Sequence, residues 1–572
     1  MITTLVTLLR DKLVGRADAL VSGHPLARPL PSWRDALARI GRLAVLAGIA
    51  LLATACATLP PPAHPAPTQA IADYAQTPLG EMTRAVLPTD GRSGFLLQPY
   101  GPNAFATRLA LTRLATRSLD VQYYLLQGDN AGRSLMRALR DAAARGVRVR
   151  VLVDDLYTVG EDELLLGLAA YPNVEVRLFN PFPAGRADEV SRFIASGLDF
   201  GRVNRRMHNK LFVADNAAAV AGGRNMADEY VSNTLGRNFI DMDVFAAGPV
   251  VRALSAEFDH YWNSDLVFAV DRIATSPLGR AELQARFERA TRDATPPEAG
   301  AVAADGKVDH PIDGEPTSVS PDLAAMLNLP FELASHRIGP LLPADARVLF
   351  DPLTKTRGWN EREDSIAGTV TAGVIGWFRT ARVSIKMVSP YFVPNDAAVA
   401  SLSEAVASGL DVEVVTNSLA STDEPLVYFG YWPHVAALLK AGVKIRELSP
   451  SLSAERHRLG LFGRRTGALH MKNAIVDHRQ VFLGSMNLDQ RSAKLNTELG
   501  LIIDSAEMAR QLEAMTDSGS TYRLRLNAGG GVEWVADEGD GKTRVYDAPP
   551  ETTAWQRFKT RLLSVFVPAG EL

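Results

Sequence analysis

Apolar and polar positions along the chain follow one plan twice. Ser118–Leu126 (SLDVQYYLL) is an apolar-rich run of strand character. Ala131–Gly146 (AGRSLMRALRDAAARG) spaces its apolar residues at helical intervals and closes on glycine. Val147–Asp155 (VRVRVLVDD) alternates and ends in acids. Strand, helix and strand in that order predict a right-handed crossover and parallel pairing. The second half repeats the order in Arg382–Phe392, Asn395–Gly409 and Leu410–Asn417, and its helix-closing glycine lies 263 positions after the first (409 − 146). The pattern predicts an α/β protein of two pseudo-twofold-related lobes, each a mostly parallel mixed β-sheet flanked by helices, with the site at their interface.

A tighter repeat lies inside this plan. MHNKLFVADNAAAVAGGRN (Met207–Asn225) and LHMKNAIVDHRQVFLGSMN (Leu469–Asn487) align at a single offset: 470 − 208, 472 − 210, 477 − 215, 484 − 222 and 487 − 225 all equal 262. Alternation puts His208 with Lys210, and His470 with Lys472, on one face of a strand. An imidazole beside an ammonium suits a site that holds an anion while exchanging a proton. Asp215 falls about 23 Å beyond His208 along an extended strand, so Asp215 and Asp477 read as turn-forming and structural.

A reactive imidazole needs an acceptor for its second ring N–H. The acids on the next strand of each half supply one: Asp241 for His208, with Asp243 competing, and Glu498 for His470. Gly223 and Ser485 bring backbone close, Asn225 and Asn487 add amide donors, and with the lysines they make a phosphate cradle. Tyr123 and Tyr124 take opposite faces of one strand, one for the core and one for the cleft, and the cleft position is assigned to Tyr123. Asn417, Ser418 and Asp423 follow a strand's carboxyl end, where α/β sites form; they are either functional or turn chemistry.

These strings resemble the phospholipase D superfamily, with its two HKD motifs, and more narrowly its bacterial cardiolipin synthases of the third type. Supporting strings include RGVRVRVLVDD, NRRMHNK, VAGGRNMADEY, DMDVFAAGPVV, SPYFVPN, TNSLASTDEPLVYFGY and LNTELGLII. The likeness runs from about Thr83 to the C-terminus and is weakest in the middle. It implies chemistry without metal or cofactor. One histidine attacks phosphorus to form a phosphatidyl-histidine, and the other protonates the leaving alcohol, then deprotonates the incoming one. Lys210, Lys472, Asn225 and Asn487 stabilise the phosphoryl oxygens. The resemblance makes His208 the nucleophile and His470 the acid/base. The implied product is cardiolipin, from phosphatidylglycerol and a second phospholipid, either phosphatidylglycerol or phosphatidylethanolamine. With water as acceptor the same site is a hydrolytic phospholipase D or phosphodiesterase; a non-catalytic lipid-binding scaffold would need a decayed motif, and both are complete. SPYFVPN resembles a family loop at the cleft, which puts Tyr391 on its wall. Arg205–Arg206 and Arg464–Arg465 are either solvated charge or contacts to lipid phosphate.

Composition narrows the partners. The net charge of −3 over 572 residues gives no global basic field, so nucleic acid is not expected. Both motifs on one chain permit a monomer. The single cysteine, Cys56, excludes an intramolecular disulfide and a Cys-based zinc site. It ends LAVLAGIALLATAC, an apolar run of signal-peptide length preceded by Arg34, Arg39 and Arg42. This resembles the lipobox of bacterial lipoproteins, in which the cysteine is acylated; an uncleaved signal anchor and a buried helix are the alternatives. The implied address is the bacterial cell envelope, as a membrane-anchored lipoprotein facing the periplasm, at the outer or inner membrane. The expected layout is a signal segment 1–56, a Pro/Ala-rich tether 57–83, a first lobe 84–271, a partly disordered connector 272–344, a second lobe 345–515 and a C-terminal extension 516–572. In the last of these, Ala554–Pro568 mixes Arg and Lys with Trp and Phe, as an interfacial membrane contact or a docked terminal helix would.

Overall fold

Both predicted crossovers form. Ser118–Tyr123 pairs in parallel with Arg148–Asp154, and Ser384–Val388 with Asp411–Asn417. The helices between them, Asn130–Ala144 and Asp396–Ala407, start on side-chain caps, Asp129 accepting from Gly132 N and Asn395 from Ala398 N. Beyond each helix the chain turns through a glycine with positive φ, Gly146 at 95° and Gly409 at 96°. The computed structural model describes residues 59–61, 66–197, 199–231, 238–303, 305–308, 317–357, 366–450, 467–516, 521–539 and 542–564. The expected signal segment with Cys56, and Arg464–Arg465, lie outside the described residues.

The two lobes correspond strand for strand. From its outer side, the first lobe runs Val174–Phe179, Arg148–Asp154, Ser118–Tyr123, Leu211–Ala214, Ala218–Gly222, Asp243–Ala247 and Ser93–Gln98. The second runs Lys444–Leu448, Asp411–Asn417, Ser384–Val388, Asn473–Val476, Gln480–Gly484, Leu499–Asp504 and Leu342–Phe350. The innermost strands, Ser93–Gln98 and Leu342–Phe350, pair antiparallel with each other, so the sheets join across the pseudo-twofold axis. The expectation of a mostly parallel sheet is corrected. Only the first three strands named in each lobe run parallel, because the repeated motif folds as a hairpin with a short turn, and a two-residue turn can only return antiparallel; Val267–Ala269 and Thr521–Leu526 extend the two edges, also antiparallel. One apolar cluster fills the first lobe and crosses the interface to take in Leu483, Leu499, Leu501 and Met508. A second, around Val414, Ile445 and Trp534, fills the outer part of the second lobe.

Two segments, the tether and the connector, are more ordered than their composition predicts, and the C-terminal extension joins the sheet. The expected tether is not free beyond Thr68. Arg150 Nη1 donates to Thr68 O at 2.9 Å, Trp262 Nε1 to Thr68 Oγ1 at 3.0 Å, and Ala70 N to Asp259 Oδ2 at 2.8 Å. Pro78–Val86 then forms a helix capped by Thr77. The connector carries helices Arg280–Thr291 and Pro321–Ala334, and Met326, Leu329 and Leu333 of the latter are buried. The C-terminal extension adds strands Thr521–Leu526, Val532–Gly539 and Lys542–Tyr546 to the sheet edge, where Trp534 Nε1 donates to the buried Glu447 at 2.8 Å. The helix Ala554–Ser564 packs on the helix Pro425–Ala441 and leaves Trp555, Phe558 and Leu562 exposed. No helix among the described residues is long and apolar enough to cross a membrane.

Candidate active site

Each motif begins just before its strand and ends just after the hairpin. The strands Leu211–Ala214 and Asn473–Val476 turn through Asp215–Asn216 and Asp477–His478, all four at positive φ between 50° and 54°. Asp and Asn tolerate this conformation because the short side chain bonds the nearby backbone. The Asp215 carboxylate accepts from the N–H groups of Thr116, Arg117 and Ser118, and Asp477 accepts from Arg382, Val383 and Ser384. Each aspartate ties its turn to the start of the neighbouring, antiparallel strand.

The histidines are held across the lobes. His208 N donates to Thr497 O at 2.8 Å and Thr497 N to Arg206 O at 2.8 Å, a parallel bridge between first and second lobe. Gly467–Leu469 pairs in parallel with Asn238–Ile240, and His470 N donates to Ile240 O at 2.8 Å. These bridges bring each imidazole to the other lobe's acid. His208 Nδ1 lies 2.9 Å from Glu498 Oε2, and His470 Nδ1 lies 2.6 Å from Asp241 Oδ2. Asp241 and Glu498 are thus the partners, but exchanged: the sequence reading paired each with the histidine of its own half. Its physical error was to count residues along one chain, when the nearest carboxylate is delivered by pairing between lobes. Asp243, the competitor, is occupied by Arg108 and Arg224.

All four motif cations and bases share one buried environment. His208, Lys210, His470 and Lys472 are at most 7% exposed. Burial pushes the His208 imidazole down to about 4, with the Lys210 and Lys472 charges adding to the effect and Glu498 opposing it. His470 is driven well below the usual imidazole range by burial, then by Lys472, Lys210 and His208. Both rings sit on bridges between the lobes, and each feels both lysines. Burial lowers Lys472 to about 8 and Lys210 well below the normal amine range. Lys210 Nζ donates to His208 O at 2.7 Å; Lys472 Nζ bonds His470 O and lies 2.9 Å from His470 Nδ1. Asn225 and Asn487 are buried, and the side-chain oxygen of each has no partner among the described residues. Among those residues no group of three or more His, Cys, Asp or Glu is arranged to hold a metal ion.

Other sequence assignments fall elsewhere. Tyr123 is fully buried and its hydroxyl accepts from Arg108 Nε at 2.8 Å, so it is core; its neighbour Tyr124 meets His208 edge-on, ring centroids 4.9 Å apart. Gly223 N donates to Met242 O and Ser485 N to Leu499 O, so neither backbone group is free for phosphate. A Cβ on Gly223 would fall 2.2 Å from Asp241 Oδ1, and Ser485 Oγ donates to Glu498 Oε2 at 2.5 Å; both residues serve the acids instead. Asn417 brackets Leu469, donating to its O and accepting from its N at 2.9 Å each, which positions the residue before His470 rather than lining a cleft. Tyr391 donates to Asp423 Oδ2 at 2.6 Å. Arg206 is buried against Asp154 and Phe182, and Arg205 Nη1 donates to Lys355 O, so this pair is structural. Sequence reasoning missed Tyr230, whose ring meets His470 edge-on at 5.0 Å with its hydroxyl 3.4 Å from Nε2, and Phe239, 4.9 Å from the same ring. Tyr230 follows the motif Asn by five positions and has no counterpart at the 262 offset, where Ser492 stands (230 + 262), so the repeat carried no signal for it.

A family model described as "Cardiolipin synthase, PLD-like domain" matches residues 109–262 and 374–518, more than half of the chain and one match per lobe. The chain belongs to this phospholipase D-like cardiolipin synthase family. It is 34% identical to cardiolipin synthase C of Escherichia coli K12 over 497 residues, which is 85% of this chain and 98% of that one. It is 25% identical to a cardiolipin synthase of Staphylococcus aureus over 416 residues, 72% of this chain and 64% of that one. Among solved structures, the phosphatidylserine synthase of Haemophilus influenzae superposes with a TM-score of 0.51 over 85% of this chain and 97% of that one, at 14% identity, a likeness of fold. As a member of this family the chain is a phospholipase D-type phospholipid phosphatidyltransferase.

Proposed function

We propose that this enzyme makes cardiolipin, moving a phosphatidyl group from one phospholipid to a hydroxyl of phosphatidylglycerol through a covalent intermediate on His208. The observation that carries the reading is the pair of buried imidazoles in one site, each with Nδ1 against a carboxylate. Nδ1–H donates to that carboxylate, which fixes the tautomer and leaves Nε2 to react. His208 Nε2 has no hydrogen-bond partner among the described residues and is neutral, as a nucleophile must be. It attacks phosphorus while the P–O bond to the headgroup breaks, and His470 gives its proton to the departing oxygen. In the second half, His470 takes the proton of the incoming hydroxyl, whose oxygen attacks phosphorus as the P–N bond breaks. The cations that keep His470 deprotonated in the empty site are offset by the phosphodiester anion, so substrate binding favours the proton it must deliver. Lys210, Lys472, Asn225 and Asn487 surround the phosphoryl oxygens.

The substrate lies in a membrane. Trp555, Phe558 and Leu562, three and four positions apart on the helix Ala554–Ser564, form an exposed apolar stripe that suits a lipid surface.

Purified enzyme given labelled phosphatidylglycerol, with and without phosphatidylethanolamine, should yield cardiolipin with no loss of rate in EDTA. Phosphatidic acid as the sole product would make it a hydrolase instead. Trp555→Ala with Phe558→Ala should slow turnover of vesicle lipid more than of detergent-dispersed lipid; equal slowing would remove the stripe from the reading.

A further inference from the structure

One acid beside the site has no partner for half of its carboxylate. Tyr391 donates to Asp423 Oδ2 at 2.6 Å, but Asp423 Oδ1 is buried and has no hydrogen-bond partner among the described residues. Asp423 lies six residues after Asn417, whose side chain brackets Leu469 beside His470, and its charge reaches Lys472 in the second lobe and Tyr157 and Tyr230 in the first. Asp423 therefore stands where the lobes face each other, close to the tyrosine that touches His470 Nε2.

Turn chemistry does not explain it. Within the Thr416–Glu424 stretch the backbone is bonded by other residues: Ser421 N donates to Ser418 Oγ at 3.2 Å and Glu424 N to Thr422 Oγ1 at 3.1 Å, while the Asn417 side chain holds Leu469. Asp423 bonds no backbone N–H among the described residues. An anion facing a site for phosphodiester anions opposes substrate binding, and a buried acceptor without a donor carries its full desolvation cost. Both costs are met by a ligand that brings its own donor. A phospholipid headgroup does so through a hydroxyl or an ammonium, and a charge-assisted bond of this kind is about twice as strong as a neutral one.

We propose that Asp423, held by Tyr391, accepts a hydrogen bond from the hydroxyl or ammonium of the phospholipid headgroup, and so sets headgroup specificity. The leaving headgroup and the incoming alcohol occupy the same place in the two half-reactions, so one carboxylate serves both, and an alcohol it holds outcompetes water. This rests on the phosphatidyl-transfer reading above.

The test measures headgroup release by the full-length enzyme from phosphatidylglycerol, phosphatidylethanolamine and phosphatidylmethanol, whose headgroup has neither donor. Asp423→Asn should lower kcat/KM for phosphatidylglycerol, phosphatidylethanolamine or both on the order of tenfold more than for phosphatidylmethanol. Tyr391→Phe should give the same pattern with a smaller ratio. Loss on phosphatidylglycerol alone identifies the hydroxyl as the ligand, and loss on phosphatidylethanolamine alone the ammonium. A uniform loss on all three lipids, or none, overturns the proposal while leaving phosphatidyl transfer intact. Wild-type enzyme that releases no headgroup overturns both.

Discussion

Glu498 and Asp241 do the same work for opposite histidines with different supports. Glu498 lies under two serines, Ser485 Oγ donating to Oε2 at 2.5 Å and Ser492 Oγ to Oε1 at 2.7 Å. Asp241, one methylene shorter, accepts from the backbone N–H of Met242 at 2.8 Å and fits only because residue 223 has no side chain. The free ring nitrogens differ as well. His208 Nε2 meets no polar group among the described residues, whereas His470 Nε2 faces the Tyr230 hydroxyl at 3.4 Å and its Nδ1 has Lys472 at 2.9 Å. The backbone is close to twofold and the proton-carrying groups are not. A ring with a clear nitrogen suits attack on phosphorus, and a ring whose free nitrogen meets a hydroxyl suits proton transfer. Because each acid comes from the other lobe, neither histidine is set up until both lobes have folded and met.

The largest effect separates the two rings. His208→Ala and His470→Ala should each lower lipid turnover by at least about 10⁴-fold. They should part company on a phosphatidyl ester of p-nitrophenol, a leaving group acidic enough to depart without a proton. His470→Ala should then accumulate a covalent phosphatidyl-enzyme, and His208→Ala should form none; label retained by His208→Ala and absent from His470→Ala reverses the assignment. The acids should follow the ring they touch rather than the lobe they belong to. Glu498→Gln should suppress covalent adduct formation, and Asp241→Asn should be relieved by the aryl leaving group.

What the sequence carried explains why the exchange of acids was invisible in it. A fixed offset of 262 marks the hairpin residues because they fold locally, within one short stretch whose geometry depends on neighbours in the chain. His208, Lys210, His470, Lys472 and the turn aspartates were therefore legible. The offset breaks between motif and acid: sheet register pairs Gly222 with Asp243 and Gly484 with Gly500, a difference of 257 (500 − 243), and Asp241 and Glu498 differ by the same 257. Five residues lost from the second loop disguise the equivalence of the acids. Their partners were misassigned because pairing between lobes has no sequence spacing at all. Tyr123 and Tyr124 show a further limit: alternation says that two residues face opposite ways but not which way is inward.

Positions 223 and 485 are the same point of the repeat (485 − 223 = 262) and make a sharper, smaller test. Gly223→Ser copies the second lobe into the first, yet its Cβ would sit 2.2 Å from Asp241 Oδ1, so the carboxylate that holds His470 must move. Activity should fall on the order of a hundredfold, short of the roughly 10⁴-fold that follows loss of an imidazole's orienting acid, because the carboxylate is displaced rather than removed. Ser485→Ala removes one donor to Glu498 and leaves Ser492 in place. The expected cost is about tenfold, the size of a single hydrogen bond to a charged group. Equal losses at the two positions would mean that the lobes support their acids alike, and the asymmetry argued above would fail.

The turn aspartates should distinguish the lobes least, and through stability rather than turnover. Asp215 is fully buried, so Asp215→Ala leaves the buried N–H of Ser118 without an acceptor and loosens the part-buried bonds from Thr116 and Arg117, at a cost of about 2–3 kcal/mol. Asp477 is partly exposed and water replaces the lost acceptor, so Asp477→Ala should cost about 1–2 kcal/mol. Denaturant midpoints compare the two directly, with turnover per folded molecule measured alongside. An Asp215→Ala enzyme as stable as wild type but without turnover would give the aspartate a chemical part, and the third letter of the motif would have to be moved from the scaffold to the site.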